Sequence, residues 1–195
     1  MVLGMSDTTQ FWANLNATMQ EVSTSLAAAE AGQDEAVERF VDLIGNANRV
    51  VVNGAGRSGL ALRMTAMRLM HLGREVKVIG DVTTPAVRFG DVMLAASGSG
   101  TTGGVVRAAE IAVKAGAKIA VITATPGSRL AKLADALIVV PAPQKQEHRS
   151  GKSVQYAGSL FEQDVVLIGD MIFHTLWQRS GVSPEELWAF HANIE

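Results

Sequence analysis

Cysteine is absent from this 195-residue chain. That excludes a disulfide scaffold, a thiolate metal site and a cysteine nucleophile. Neither sign of charge dominates: 17 Lys and Arg stand against 19 Asp and Glu, a net of −2. A basic nucleic-acid binder and a polyacidic tail protein are both disfavoured. No apolar run is long enough to span a bilayer, because the best candidate, Val165 to Ile172, is broken by Gly169 and Asp170. The first residues carry neither a basic segment nor a long apolar one. A cytoplasmic protein without membrane or nucleic-acid partners is the expectation. Aromatic residues are few, at 5 %. Apolar content is not: 48 % hydrophobic against 18 % charged residues supports an ordered core of one-domain size.

The apolar pattern divides the chain. Phe11 to Ala31 has helical spacing through Leu15, Met19, Val22 and Leu26. Asp34 is placed to cap a second helix carrying Val37, Phe40, Val41 and Ile44. From Arg49 the period changes. A β-branched run at 49–53 and further strand-like runs at 75–79, 91–96, 118–123 and 136–140 alternate with helical segments. Apolar strands alternating with helices predict a parallel sheet covered on both faces, a doubly wound α/β fold of five strands. The stripe Met64, Met67 and Met70 is expected to pack in the core. Residues 141–158 have almost nothing to bury, which predicts a long functional loop. The cluster Lys145, His148, Arg149 and Lys152 within it is a solvated patch or part of a lid. A helix from Ser159 to about Ser180 is apolar nearly all round and predicts a subunit interface. The expected organisation is one unit over 1–195: N-terminal helices at 11–46, the core at 49–140, the loop at 141–158, and helices and tail at 159–195.

Two glycine-rich turns follow strands. Gly54-Ala-Gly-Arg-Ser-Gly59 matches the dinucleotide fingerprint, and Asp81 lies after the next strand, where a ribose-binding acid would stand. A glycine turn before a helix serves any anion, however. The second turn, Ser97-Gly-Ser-Gly-Thr-Thr102, is harder to fit to a dinucleotide. Its hydroxyls and small residues suit a compact phosphate monoester. The plain alternative is that they cap the next helix. The lysine of a P-loop is missing. Both turns sit at C-terminal ends of parallel strands, where such sheets bind ligands. They can share one phosphorylated small molecule.

The segments Val51 to Gly59, Ala66 to Gly73 and Ser97 to Thr102 resemble the SIS (sugar isomerase) domain. Gly158-Ser-Leu-Phe-Glu-Gln163 and His191-Ala-Asn-Ile-Glu195 make the chain similar, within it, to the 6-phospho-3-hexuloisomerase family of the ribulose monophosphate route of formaldehyde fixation. The resemblance runs from about Phe11 to the end. It implies a five-stranded parallel sandwich, a homotetramer built as a dimer of dimers, functional coupling to a hexulose-6-phosphate synthase, and no metal or nucleotide cofactor. It implies that Ser97, Ser99 and Thr102, with Gly98, Gly100 and Thr101, form the phosphate cradle, that Arg57 and Ser58 contact the substrate, and that Glu162 is the base. Position 101, often Glu in the family, is Thr here.

The residues themselves leave alternatives open. Moving a carbonyl between neighbouring carbons needs one carboxylate to carry a proton through an enediol, and a part-buried Glu162 suits that task. Yet Ser159 and Glu162 also have capping-box spacing. His191 is either structural or, as the resemblance implies, a proton shuttle in an active site of its own or a neighbouring subunit. His71 reads as a helix-end residue. Another phosphosugar isomerase, a non-catalytic module sensing sugar phosphates, and a nicotinamide-dependent oxidoreductase remain as other readings.

Overall fold

The computed structural model describes residues 6–145 and 153–194. Two helices, α1 (Asp7–Glu30) and α2 (Asp34–Gly45), precede the sheet. Then come β1 (Arg49–Gly54), α3 (Gly56–His71), β2 (Val76–Val78), β3 (Asp91–Ala96), α4 (Gly103–Lys114), β4 (Lys118–Thr123) and β5 (Ala136–Val139). Helices α5 (Ser159–Ser180) and α6 (Pro184–Trp188) close the chain. All strand pairs are parallel, in the order β2-β1-β3-β4-β5. The expected class is therefore found. Between β4 and β5 there is only a short 3-10 turn, Ala131–Leu133.

The strands are apolar on both faces because both faces are covered. Val50, Val52, Leu94 and Ile122 pack with Phe40, Ile44, Leu62, Leu69, Val165 and Ile172 from α2, α3 and α5. Met93, Ala95, Ile119 and Val121 pack on the other side, with Val105, Val106 and Ala109 of α4. The bottom of the sheet holds a buried ion pair, Arg49 with Asp91, neighbours in register on β1 and β3. Edge strand β5 is closed by a side chain: Gln33 Oε1 accepts from the Val139 amide at 2.8 Å, and Gln33 Nε2 donates to the Val139 carbonyl at 2.9 Å.

That use of Gln33 corrects the expected cap. Gln33, not Asp34, is the N-cap of α2, and Asp34 lies inside its first turn. The methionine stripe is also corrected. Ala61, Leu62, Ala66 and Leu69 are the buried face of α3, while Leu60, Met64, Met67 and Met70 are exposed. Period 3.6 locates a stripe but not which stripe faces the sheet, and α3 has two. Helix α5 is covered largely within the chain, by α1, α2 and α3. Leu167 and Met171 are its exposed large apolar residues. The N-terminal half of α1 is solvent-exposed, including Phe11, Trp12, Leu15 and Met19. Among the described residues, no helix is long and apolar enough to cross a membrane.

Candidate functional site

Strand order reverses between β1 and β3, and both glycine turns leave from the C-terminal ends of those two strands. The crevice between such turns is the binding position in open α/β sheets. A cavity of about 380 Å³ lies there, walled by both turns, by Pro143 to Lys145 and by the start of α5. Helices α3, α4 and α5 all begin at it, so their unpaired N-terminal amides and positive dipole ends favour an anion.

The first turn shows why the fingerprint spacing occurs. A Cβ on Gly59 would stand 2.4 Å from the Gly54 carbonyl oxygen, so these glycines permit close strand-to-helix packing. Asp81 is held by Arg63 at 2.9 Å and does not line the cavity. The fingerprint is thus explained by packing, and the ribose-acid position serves a surface ion pair.

The second turn is a preformed cradle. Ser97 Oγ accepts from the Gly100 amide at 3.2 Å and bonds the Thr102 hydroxyl at 2.9 Å. Ser99 Oγ accepts from both the amide and the hydroxyl of Thr101, at 3.3 and 3.1 Å. Gly100 has φ +61, and a Cβ there would stand 1.9 Å from Ser128 Oγ. Thr102 is the N-cap of α4, but no side chain caps that helix. The capping alternative is therefore not what these hydroxyls do. Two residues not singled out from sequence hold the turn from behind: Thr123 Oγ1 donates to the Ser97 carbonyl at 2.7 Å, and Thr125 Oγ1 to the Gly98 carbonyl at 3.0 Å. Those carbonyls, which would repel an anion, are thereby occupied.

Glu162 follows Phe161, which lines the cavity, but neither Glu162 nor Arg57 is itself a lining residue. The Glu162 side chain is 3 % exposed, with Arg57 Nε 2.6 Å from Oε2 and Lys145 Nζ 3.0 Å from Oε1. The capping box is corrected here. Gly158, in the left-handed region at φ +81, is the N-cap of α5, and no side chain caps it. Ser159 instead donates to the Tyr156 carbonyl at 2.7 Å. Glu162 is thus released from capping and turned toward α3. Close approach of the two helices makes this possible, since a Cβ on Gly169 of α5 would stand 2.0 Å from Thr65 Oγ1 of α3. Ser58 is buried in the cavity wall, and Gly98 lies against the Phe161 ring.

His191 is not brought to this cavity by its own chain. It stacks on His71, ring centroids 4.0 Å apart, and on Trp188 at 4.5 Å. His71 ends α3, a helix of 16 residues, so the pair lies about 24 Å down the helix from the cavity end. Burial, then His191 and Arg68, hold His71 below the ordinary histidine pKa. Of the polar loop cluster, Lys145 reaches the site, while His148, Arg149 and Lys152 lie outside the described residues. Among the described residues, no group of three His, Asp or Glu side chains is arranged to hold a metal ion.

A parallel sheet with a phosphate-sized hydroxyl cradle at its switch point, and a buried carboxylate paired with a cavity-lining lysine, defines a class of phosphosugar-binding proteins. Residues 43–167 match the SIS domain model, and the chain belongs to the SIS family. It is 52 % identical over 182 residues to the 3-hexulose-6-phosphate isomerase of Mycobacterium gastri, covering 93 % of this chain and 90 % of that one. It is 36 % identical to the protein of the same name from Bacillus subtilis (strain 168), covering 87 % and 91 %. A crystal structure of a hypothetical protein superposes with a TM-score of 0.81 at 34 % identity, covering 92 % of this chain and 97 % of that one.

Proposed function

We infer that this chain is a 3-hexulose-6-phosphate isomerase, interconverting 6-phospho-3-hexulose and fructose 6-phosphate as one SIS unit over its whole length. The observation that carries the reading is Glu162: a buried carboxylate ion-paired with Lys145, which lines one small cavity together with a phosphate-sized cradle. The substrate identity rests on the 52 % identical relative of that name.

The phosphate sits among the hydroxyls of Ser97, Ser99, Thr101 and Thr102 and the backbone of Gly98 and Gly100, at the N-terminus of α4. Arg57 and Ser58 face the sugar. Glu162 takes the proton from C2, leaving an enediol across C2 and C3, and returns it to C3. Arg57 on Oε2 fixes the carboxylate, and donors around the cavity stabilise the developing enediolate oxygen. The hydroxyl proton must also move from the C2 oxygen to the C3 oxygen. No metal or nucleotide has a part in these steps.

His191 suits that last transfer if a second copy supplies it. The exposed stripe Leu60, Met64, Met67 and Met70 runs the length of α3. Pairing two such stripes antiparallel about a two-fold axis sets the His191 end of one α3 beside the Arg57 end of the other. His191 of the partner subunit would then close each site. A second apolar face, Phe11, Trp12, Leu15 and Met19 on α1, supports a further contact, and with it a homotetramer built as a dimer of dimers. On this reading the protein works in the cytoplasm, coupled to a hexulose-6-phosphate synthase in the ribulose monophosphate pathway of formaldehyde fixation.

The test is a coupled assay. Ribulose 5-phosphate, formaldehyde and a hexulose-phosphate synthase are supplied, and fructose 6-phosphate is followed. Formation dependent on this protein is expected. A folded protein that binds sugar phosphates without turning the hexulose over would overturn the reading in favour of a sensor.

A further inference from the structure

Helix α1 reaches the segment that leads into α5 from far along the sequence. Glu21, half-buried on α1, accepts hydrogen bonds from three successive residues of that segment. Ser153 Oγ donates to Oε2 at 2.8 Å, the Val154 amide to Oε1 at 2.6 Å, and Gln155 Nε2 to Oε2 at 3.1 Å. Ser153 Oγ in turn accepts from the Gln155 amide at 3.0 Å. One turn further along the same face of α1, Ser25 donates to Asp164 of α5 at 2.7 Å. The two α1 residues grip the chain on either side of residues 156–162.

The stretch between those grips carries Gly158 and Phe161, which line the cavity, and then Glu162. It opens with a turn that its own residues do not favour. Ala157 lies in the left-handed region at φ +49, directly before Gly158 at φ +81. A residue other than glycine persists there only where its surroundings impose it. Downstream, the Ser159 amide and hydroxyl both donate to the Tyr156 carbonyl, at 3.1 and 2.7 Å. Upstream, the hold comes from the Glu21 carboxylate, whose charge strengthens each bond it accepts. The Lys145 stem is seated on Gly158, where a Cβ would come 3.0 Å from Lys145 Cγ, so the turn also seats the lysine that pairs with Glu162. We propose that Glu21 is a positioning residue: by clamping residues 153–155 it fixes the turn at 156–158, and with it the cavity wall and the start of the helix that carries Glu162. Glu21 does not itself line the cavity. The cradle, held from behind by Thr123 and Thr125, is independent of the clamp. The inference rests on Glu162 being the base.

The test compares wild type, Glu21→Ala and Glu21→Gln, with circular dichroism to confirm folding. Alanine is the best helix former, so the first change does not weaken α1 itself. Glu21→Ala should lower kcat about tenfold, since a displacement of about 1 Å at a reacting centre can cost more than that. The Kd for inorganic phosphate, read by calorimetry, should stay within about twofold, because the cradle is held separately. Glu21→Gln keeps an acceptor for the Val154 amide and should recover part of the kcat. A lower urea midpoint with kcat unchanged would make Glu21 a structural tie and overturn the proposal. Loss of phosphate affinity equal to the loss of kcat would overturn it too. A second measurement needs no turnover. Tyr156 is the one tyrosine of the chain, so 3-fluorotyrosine labels this turn alone. Its fluorine NMR signal should be a single narrow line in wild type, and broadened or split in Glu21→Ala. The same line in both proteins would refute the clamp. If Glu21→Ala does not fold, Ser153→Ala, which removes one bond from the loop side, should lower kcat and broaden the line to a smaller extent, and no change in either would overturn the proposal. The fluorine response in a protein that does not isomerise the hexulose would instead refute the enzymatic reading alone.

Discussion

Asp164, two residues beyond the proposed base, is completely buried. Its described partner is Ser25 of α1, which donates to Oδ2 at 2.7 Å, and Oδ1 has no hydrogen bond. Burial pushes its pKa up from 3.8 to about 6, against the smaller lowering effect of the Ser25 bond. The folded protein therefore binds more protons than the unfolded chain between those values, and stability falls as pH rises through that window. The shift of about 2 units corresponds to roughly 3 kcal/mol lost by neutral pH, about half of it between pH 5 and 7.5. Asp164→Asn removes the titration. It also buries an amide, at a cost that does not change with pH. The difference in unfolding free energy, variant minus wild type, should therefore grow by about 1.5 kcal/mol from pH 5 to 7.5. Urea unfolding at one fixed protein concentration reads it. His71, whose pKa is lowered, has the opposite slope, losing stability as pH falls below about 6.5, but it titrates in both proteins and cancels. A difference that stays flat with pH would refute the assignment of a strained, ionised Asp164 at neutral pH.

Three further outcomes follow from the geometry. Ser97→Ala removes the acceptor for the Gly100 amide and the Thr102 partner, and should raise KM about tenfold, worth ~1.4 kcal/mol, with little change in the urea midpoint. Gly100→Ala drives a Cβ into Ser128 at a left-handed residue and should weaken phosphate binding tenfold or more; calorimetry with inorganic phosphate reads it, and Gly127→Ala, where a Cβ would meet nothing within 4 Å, is the control. Asp91→Asn leaves Arg49 without its buried ion partner, with the half-exposed Glu75 at 3.9 Å as its remaining carboxylate, and should cost about 3 kcal/mol in urea unfolding. The pair lies at the far end of the sheet, so KM measured in the cold should be unchanged.

The sheet was legible because short apolar runs alternating with helical segments occur five times, and both core faces demand apolar strands. The cradle was legible because hydroxyls and glycines concentrate in one strand-to-helix turn. What escaped depends on pairings distant in sequence. Lys145 stands in a polar stretch that reads as solvated charge, and only folding sets it on Gly158 and Glu162. The Ser159–Glu162 spacing suggested a capping box, but the left-handed Gly158 ends the loop one residue earlier and frees the carboxylate. The methionines of α3 were assigned to the core because composition does not reveal which of two apolar stripes meets the sheet. Ser25 and Asp164 are a helix residue each, and nothing local joins them.

Glu162 as the proton carrier is tested most directly by running the reaction in deuterium oxide and locating the label by NMR. With the wild type the account predicts deuterium at C3 of fructose 6-phosphate, from solvent exchange at Glu162 while the enediol lives, in competition with direct return of the C2 proton. With folded Glu162→Gln it predicts turnover reduced at least about a hundredfold, and labelling slowed with it. Labelled product formed at the wild-type rate by that variant would contradict it.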